Sequence, residues 1–380
     1  MKLERLAISC GGTGGHFNPG LSIARELKAR GGTPVLFLGG AHAEKQSETA
    51  AKFGIETFRF DAAPPSGNPW KALKFLFRTW KGVKQCEAEF DRFRPQALLC
   101  MGSFASLPPA LAARRRKLPL FLHDGNAKIG KANRFLSRWA KALALSFPVK
   151  DVSVIACPAV LTGMPLRPDL VTGVLSKEEA IAALNTRWHR AFSAERPTLL
   201  VFGGSLGART INTMVKIPSD LPGAERLQVI RLTGPGNLES VRKAHAGSGA
   251  EELILESCQE MNLLYSAADL VICRSGGSTV SELAVYGKYA VLVPYPFAAE
   301  GHQDDNAGWL ASAGGAEIIP DRECTPERFA NLLRNWLANQ AEFTRHGLQS
   351  KSLAKPRAAA GVLDLVENIL ASQANAGMNP

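Results

Sequence analysis

Short apolar runs of strand length recur along this chain, and each is followed by a stretch of helical periodicity, a rhythm that βαβ units with parallel sheets satisfy. The expected strands of a first series are 6–10, 34–38, 97–101, 118–122 and 143–147, and a second series follows at 198–202, 227–232, 253–255, 270–273 and 290–293. Between the series, Cys157-Pro158, Gly163-Met164-Pro165 and Arg167-Pro168 interrupt any regular element. At 380 residues the chain is long for one core and comfortable for two. The expected organisation is therefore α/β, with Rossmann-like parallel-sheet domains at 1–162 and 169–350 and a hinge at 163–168. The last stretch sets Val362, Leu365, Val366 and Leu370 on one helical face, so 351–380 is expected to return to the first domain.

Hydrophobic residues make up 46% of the chain, but no run approaches the roughly 20 apolar residues of a membrane span. Lys2, Glu4 and Arg5 lead into an apolar run that ends in glycines, which is not a signal-peptide pattern, and the protein is expected to remain in the cytoplasm. Seven scattered cysteines with no C-x-x-C pair suggest neither a disulfide framework nor a zinc site. The net charge of +11 is uneven: residues 1–150 hold 25 of the 45 Lys and Arg but 10 of the 34 Asp and Glu. The first half is built to meet something anionic, be it nucleic acid, acidic lipid or a pyrophosphate.

Three strands empty into glycine-rich turns that open helices, where ligands of open α/β sheets bind. The first, Cys10-Gly11-Gly12-Thr13-Gly14-Gly15-His16-Phe17-Asn18-Pro19, is neither a P-loop nor G-x-G-x-x-G, since Phe17 stands at the third glycine position. Asn18 and Pro19 suit an N-cap and first helical position. At this mouth His16 reads as a general base or substrate ligand, or as a surface histidine bonded to the turn. The second, Gly203-Gly204-Ser205-Leu206-Gly207, offers backbone N–H groups and the Ser205 hydroxyl to a diphosphate. The third runs from Asp269 through Gly276-Gly277-Ser278-Thr279 to Glu282, whose carboxylate can accept from two vicinal hydroxyls of a ribose. Thr279-x-x-Glu282 is equally the spacing of a capping box. A polar helix start at His302-Gln303-Asp304-Asp305-Asn306 suits sugar hydroxyls or plain solvation.

Between Asp61 and Glu87 there is no acid, while Leu73, Leu76, Phe77, Trp80 and Val83 share a helical arc beside Lys71, Lys74, Arg78 and Lys81, in a stretch that also holds Trp70. This is the pattern of an interfacial helix, with Trp70, Lys74, Phe77, Arg78, Trp80 and Lys81 as the expected membrane face. An ordinary core-facing arc is the alternative. Arg114-Arg115-Arg116-Lys117 adds charge, and no RNA-binding motif accompanies it, so nucleic acid is not an expected partner.

Taken together, the sequence resembles the bacterial MurG family, the UDP-N-acetylglucosamine:N-acetylmuramyl-(pentapeptide) pyrophosphoryl-undecaprenol N-acetylglucosaminyltransferases. The likeness runs over almost the whole chain and rests on Gly11-Gly12-Thr13-Gly14-Gly15-His16, Gly203-Gly204-Ser205-x-Gly207-Ala208-Arg209, Cys273-Arg274-Ser275-Gly276, Thr279-Val280-Ser281-Glu282 and His302-Gln303-x-x-Asn306-Ala307. It implies a GT-B fold and an inverting transfer, with no metal or other cofactor, from UDP-N-acetylglucosamine to a lipid-linked muramyl acceptor at the cytoplasmic face of the membrane. It implies Ser205 for a donor phosphate, Arg167 for the pyrophosphate, Glu282 for the ribose, Gln303 for the sugar ring, and Cys258 and Met261 beside uracil. Ser278 and Thr279 belong to the same donor side. Thr13, Gly14, Gly15 and Asn126 fall to the sugar, and His16 is the base. On the acceptor side, Gly102-Ser103-Phe104 replaces a usual Gly-Gly-Tyr, and His123-Asp124-Gly125-Asn126 a usual His-Glu-Gln-Asn. Rival readings are a nucleotide-sugar epimerase, another glycolipid transferase and a non-catalytic membrane regulator.

Overall fold

The computed structural model describes residues 2–62 and 69–376, apart from the side chains at 69–73, 299 and 375–376. Two compact units are present, Met1–Arg167 with Lys355–Pro380, and Pro168–Ala354.

In the first unit the strands are β1 (Arg5–Ser9), β2 (Thr33–Gly39), β3 (Glu56–Phe60), β4 (Ala97–Cys100), β5 (Leu120–Asp124), β6 (Ala142–Leu145) and β7 (Ala159–Leu161). They pair in parallel in the order β3-β2-β1-β4-β5-β6-β7. The central β1 is locked on both sides, Ile8 pairing with Leu36 of β2 and Leu99 of β4. Both sheet faces are covered, which is why the central strands are unbroken apolar runs rather than alternating ones. One face packs on the helices Gly14–Ala29, Ala43–Ala51 and Ala358–Ala376. The other packs on Pro69–Phe93, Leu107–Arg115 and Lys131–Leu136.

The terminal helix closes the first unit. Val362, Leu363, Val366 and Leu370 share a core with Leu3, Leu6 and Leu27. At its edge Arg30 Nη1 donates to Asp364 at 2.7 Å, and Leu3 N donates to Glu367 at 3.1 Å.

The second unit holds β8 (Thr198–Phe202), β9 (Gln228–Leu232), β10 (Glu251–Leu255), β11 (Leu270–Cys273), β12 (Tyr289–Leu292) and β13 (Ala316–Ile318), ordered β10-β9-β8-β11-β12-β13. Its order repeats that of the first six strands of the other unit, and is the doubly wound 3-2-1-4-5-6 arrangement.

The central strands fall within one or two residues of the apolar runs, whereas β3, β7 and β13 are additions. All three sit toward or at a sheet edge, where a strand needs no continuous apolar signature; β7 is exposed and lies within the Pro/Gly stretch read as unstructured.

A second correction concerns the first glycine loop. The helix begins at Gly14 with Thr13 in extended conformation at its cap, so Asn18 and Pro19 lie inside it. Both the His16 and Phe17 amides return to Thr13 O at 3.1 Å, and the Gly14 and Gly15 amides fall in the first turn, which has no intrahelical partners for them.

Close packing of helix on sheet, the part played by a third glycine in dinucleotide folds, is supplied by Gly20. A Cβ there would meet Cys10 Cβ at 2.5 Å and Met101 Cγ at 3.3 Å. Gly20→Ala is therefore expected to destabilise the first unit by about 1–3 kcal/mol through overpacking, despite alanine's higher helix propensity, as a lower urea midpoint will show.

Candidate active site

In each unit the loops of interest leave the sheet where the strand order reverses. In the first, β1 and β4 are neighbours whose following helices go to opposite faces, and the loops after them converge. Gly102 follows β4 with φ +91°, and a Cβ on it would come within 3.3 Å of His16 Cδ2 and 3.4 Å of Nε2. A side chain at 102 would therefore press on the imidazole. His16 Nδ1 lies 3.1 Å from Thr13 Oγ1. In the tautomer in which Nδ1–H donates to that hydroxyl, Nε2 keeps its lone pair. Thr13, Gly14 and Gly15 are exposed and His16 is half-buried.

Ser103 stands at one of the positions where the sequence departs from the pattern it resembles. It sits at φ 68°, ψ 168°, a region that favours glycine. Its hydroxyl donates to Gly11 O at 3.1 Å and accepts from Ala105 N at 3.2 Å, which ties the β4 loop to the glycine loop and offsets part of the strain. Phe104 is half-buried and packs on the unit's core.

His123 and Asp124, expected on the acceptor side, are corrected. His123 is 1% exposed and its Nε2 lies 3.1 Å from Ser146 Oγ. Asp124 is buried; its Oδ1 accepts from Asn126 N at 3.1 Å and its Oδ2 from Gly130 N and Asn133 Nδ2, each at 2.9 Å. Asp124 ties the 124–130 loop and His123 is bonded to Ser146, and neither presents its side chain to solvent. Asn126, on that loop, is half-buried.

The second unit has the same geometry at β8 and β11. After β8, Ser205 is exposed at the tip of the 203–207 loop. That loop rests on the end of β9, where Asn212 Nδ2 donates to Thr233 O at 2.8 Å. Behind it lies a buried polar cluster that sequence reasoning missed: Arg231 Nε contacts Glu252 at 3.3 Å, its Nη2 donates to Val215 O, and His245 Nε2 lies 2.9 Å from Asn212 O. The basic residue in a β-type run was its only signal.

After β11, the helix Gly277–Tyr286 starts with Gly276 as N-cap and carries no side-chain cap. The capping-box alternative for Thr279 and Glu282 is thereby excluded, since Thr279 already stands inside the helix. Ser278, Thr279 and Glu282 are half-buried. Tyr265, also missed, donates to Glu282 Oε2 at 2.7 Å.

Arg274 turns inward, donating to Val293 O, Pro294 O and Asp321, the last at 2.5 Å, and so braces the loop after β12. Gln303, in the first turn of His302–Ser312, accepts from Tyr295 N at 2.9 Å through Oε1, which turns its amide nitrogen into the side chain's donor. Cys258 and Met261 are half-buried, beside and at the start of Met261–Ala267; burial pushes the Cys258 thiol up to about 11. Arg167, half-buried, ends the first unit.

The expected membrane face is a helix, Pro69–Phe93. Trp70 lies outside the described side chains. Leu76, Phe77 and Trp80 are 61%, 62% and 54% exposed, while Val83 of the same arc is buried. The charge reading is corrected, because Lys81 and Arg78 reach back to Asp61 at 2.7 and 3.2 Å. Lys81, then Arg78, hold that carboxyl below its usual range. Arg115 and Arg116 likewise pair with Glu87 and Asp91, and Arg114 lies over the Trp139 ring. Lys74 is exposed.

Two doubly wound parallel-sheet units in one chain, each with a glycine loop at its switch point, are the GT-B fold, and the family matches make this a glycosyltransferase. Residues 6–145 match the glycosyltransferase family 28 N-terminal domain and 198–362 the family 28 C-terminal domain. The chain is 35% identical over 375 residues to the UDP-N-acetylglucosamine--N-acetylmuramyl-(pentapeptide) pyrophosphoryl-undecaprenol N-acetylglucosamine transferase of Mesorhizobium japonicum, covering 96% of this chain and 95% of that one. The enzyme of the same name from Nitratidesulfovibrio vulgaris is 35% identical over 370 residues, covering 96% and 98%. The crystal structure of Acinetobacter baumannii MurG superposes with a TM-score of 0.75 at 27% identity, over 96% of this chain and 99% of that one. A UDP-GlcNAc 2-epimerase from Neisseria meningitidis shares the fold alone, at 12% identity and a TM-score of 0.67, over 96% and 100%. The chain belongs to the MurG family.

The buried His123 carries a pH signature. Burial first, and the nearby His16 as a smaller cause, lower its pKa to about 3, against a hydrogen bond that the ring donates to the Gly163 backbone, which works the other way. An unfolded histidine titrates near ~6.5. From about pH 6.5 down to about 3 the unfolded chain binds a proton that the folded one does not, so stability falls on acidification by up to about 1.4 kcal/mol per pH unit. Urea midpoints at pH 7.5 and 5 are expected to differ in that direction, and less so in His123→Gln.

Proposed function

We propose that this protein transfers N-acetylglucosamine from UDP-N-acetylglucosamine to undecaprenyl-pyrophosphoryl-N-acetylmuramyl-pentapeptide, the step that completes the lipid-linked disaccharide precursor of peptidoglycan. The observation that carries this reading is family membership across 96% of the chain together with an imidazole at the switch-point loop, its Nδ1 beside Thr13 and its Nε2 edge over a glycine.

The reaction is a single displacement with inversion. An acceptor hydroxyl gives its proton to His16 Nε2 as its oxygen bonds to the anomeric carbon, and the bond from that carbon to the UDP oxygen breaks. The amides of Gly14 and Gly15 and the side chain of Thr13 line the sugar side, with Asn126 close by. Ser205 and the backbone amides of the 203–207 loop take the diphosphate, aided by Arg167. Glu282 accepts from the ribose diol, with Ser278 and Thr279 on the same turn. Gln303 gives its amide N–H to the sugar, and Cys258 and Met261 flank the base. Gly102, Ser103 and Phe104 shape the acceptor side.

No helix among the described residues is long and apolar enough to cross a membrane. Because a lipid-linked acceptor stays in its bilayer, the enzyme sits peripherally on the cytoplasmic face. Leu76, Phe77 and Trp80 insert there, on a helix tied by Arg78 and Lys81 to Asp61 just beyond β3, the edge from which the glycine loops also emerge. With two of its cations internally paired, this face leans on apolar area, and Lys74 supplies charge.

Release of UDP only when the lipid-linked muramyl acceptor is added is the direct test; UDP release without acceptor, or epimerised sugar, would refute the reading. His16→Ala is expected to lower turnover by about 10²–10⁴-fold while UDP binding stays within about twofold, measured by steady-state kinetics and calorimetry. Replacing Leu76, Phe77 and Trp80 together by serine is expected to abolish flotation with anionic vesicles and leave UDP binding unchanged. Undiminished flotation would place the membrane face elsewhere.

A further inference from the structure

The carboxylate of Glu282 is held from behind. Tyr265 is fully buried, and its phenol donates to Glu282 Oε2 at 2.7 Å, the short distance of a charge-assisted bond. Its ring is wedged between two aromatics, with centroids 5.1 Å from Tyr286 and 6.0 Å from Phe202. Tyr286 shares the helix of Glu282, and Phe202 is the last residue of β8, from which the Ser205 loop departs. The acid and the diphosphate loop thus lean on one rigid aromatic group. Burial, and then the neighbouring Glu282, push the phenol well above its ordinary range, so it remains a donor at any working pH.

We propose that Tyr265 is a positioning residue for nucleotide recognition, fixing the plane of the Glu282 carboxylate so that it meets a ribose diol and discriminates against 2′-deoxynucleotides. This rests on reading Glu282 as the ribose ligand. A carboxylate offers about four acceptor sites, and the phenol occupies one, so capacity for a diol remains. The phenol O–H restrains the carboxylate's terminal torsion, which is broad and weakly restrained by itself. Contacts from an unrestrained carboxylate to a ligand must be won against that freedom, whereas a side chain locked by packing and a hydrogen bond is pre-organised for them. The opposite reading, in which Glu282 exists to satisfy a buried phenol, makes a different prediction for selectivity.

The test is competition of UDP and 2′-deoxy-UDP against UDP-N-acetylglucosamine turnover by the full-length protein, read as the ratio of their inhibition constants. Tyr265→Phe keeps the aromatic packing and is expected to keep its melting transition near wild type and kcat within about twofold. The preference for UDP is expected to fall by about tenfold, the loss of one hydrogen bond's worth of orientation. Glu282→Gln is expected to lose the preference as well. If Glu282→Gln loses it and Tyr265→Phe keeps it, the positioning role is overturned while the ribose assignment stands. If Glu282→Gln also keeps the wild-type ratio, the ribose assignment falls and the proposal with it. A Tyr265→Phe protein that melts lower but retains the ratio would likewise overturn the proposal, leaving a purely structural hydrogen bond.

Discussion

The structure depends on parallel pairing about a strand whose neighbours lead to opposite faces. β1 is flanked by β2 and β4, and β8 by β9 and β11, so in each unit the chain reverses its direction of travel across the sheet at that place. A parallel sheet must bury both faces, and helices on both sides are the means of doing so. The helices that follow the two central strands go to opposite faces, and the loops leading into them border a crevice at the strand ends. His16 and Gly102 meet in one such crevice, and the Ser205 loop and Ser278 border the other.

Each crevice is built in two layers, and the inner layer is polar. Below the first lie His123 and Asp124, which spend their hydrogen-bonding capacity on Ser146, Asn133 and the amides of the 124–130 loop. Below the second lie Arg231, Glu252 and His245, together with Tyr265 beneath Glu282 and Arg274 beneath Tyr295. Burying such groups is costly unless they are bonded, and their bonds run to backbone or to buried and half-buried polar side chains. That arrangement stiffens loops which would otherwise be the most mobile part of a glycine-rich edge. Ser103 shows the same logic under strain, an unfavourable backbone conformation held by two hydrogen bonds of its own hydroxyl.

Four of the first half's cations are committed to particular acids. Arg78 and Lys81 converge on Asp61, Arg115 on Glu87 and Arg116 on Asp91. Exposed pairs of this kind contribute little to stability, but each removes a charge from long-range attraction. Among the described side chains of the helix Pro69–Phe93, Leu76, Phe77 and Trp80 are exposed beside Lys74.

The sequence by itself determined the class of fold and the positions of the glycine loops at the strand ends. Buried parallel strands must be apolar along their length, and glycine must stand where backbone approaches backbone or ligand; both demands are local and can be read from residue order. The edge strands β3, β7 and β13 escaped notice because one open side removes the need for an apolar run. The helix starts at Gly14, with Thr13 extended at its cap, although Asn18 and Pro19 carry the stronger local preference for a helix start. Only the tertiary structure decided which polar side chains face outward. His123, Asp124 and Tyr265 have residue types as suitable for a ligand as His16 and Glu282, and no local pattern separates them. Burial and partner distance separate them, and both depend on contacts between residues far apart in the chain, such as Ser146 beside His123 and Glu282 above Tyr265.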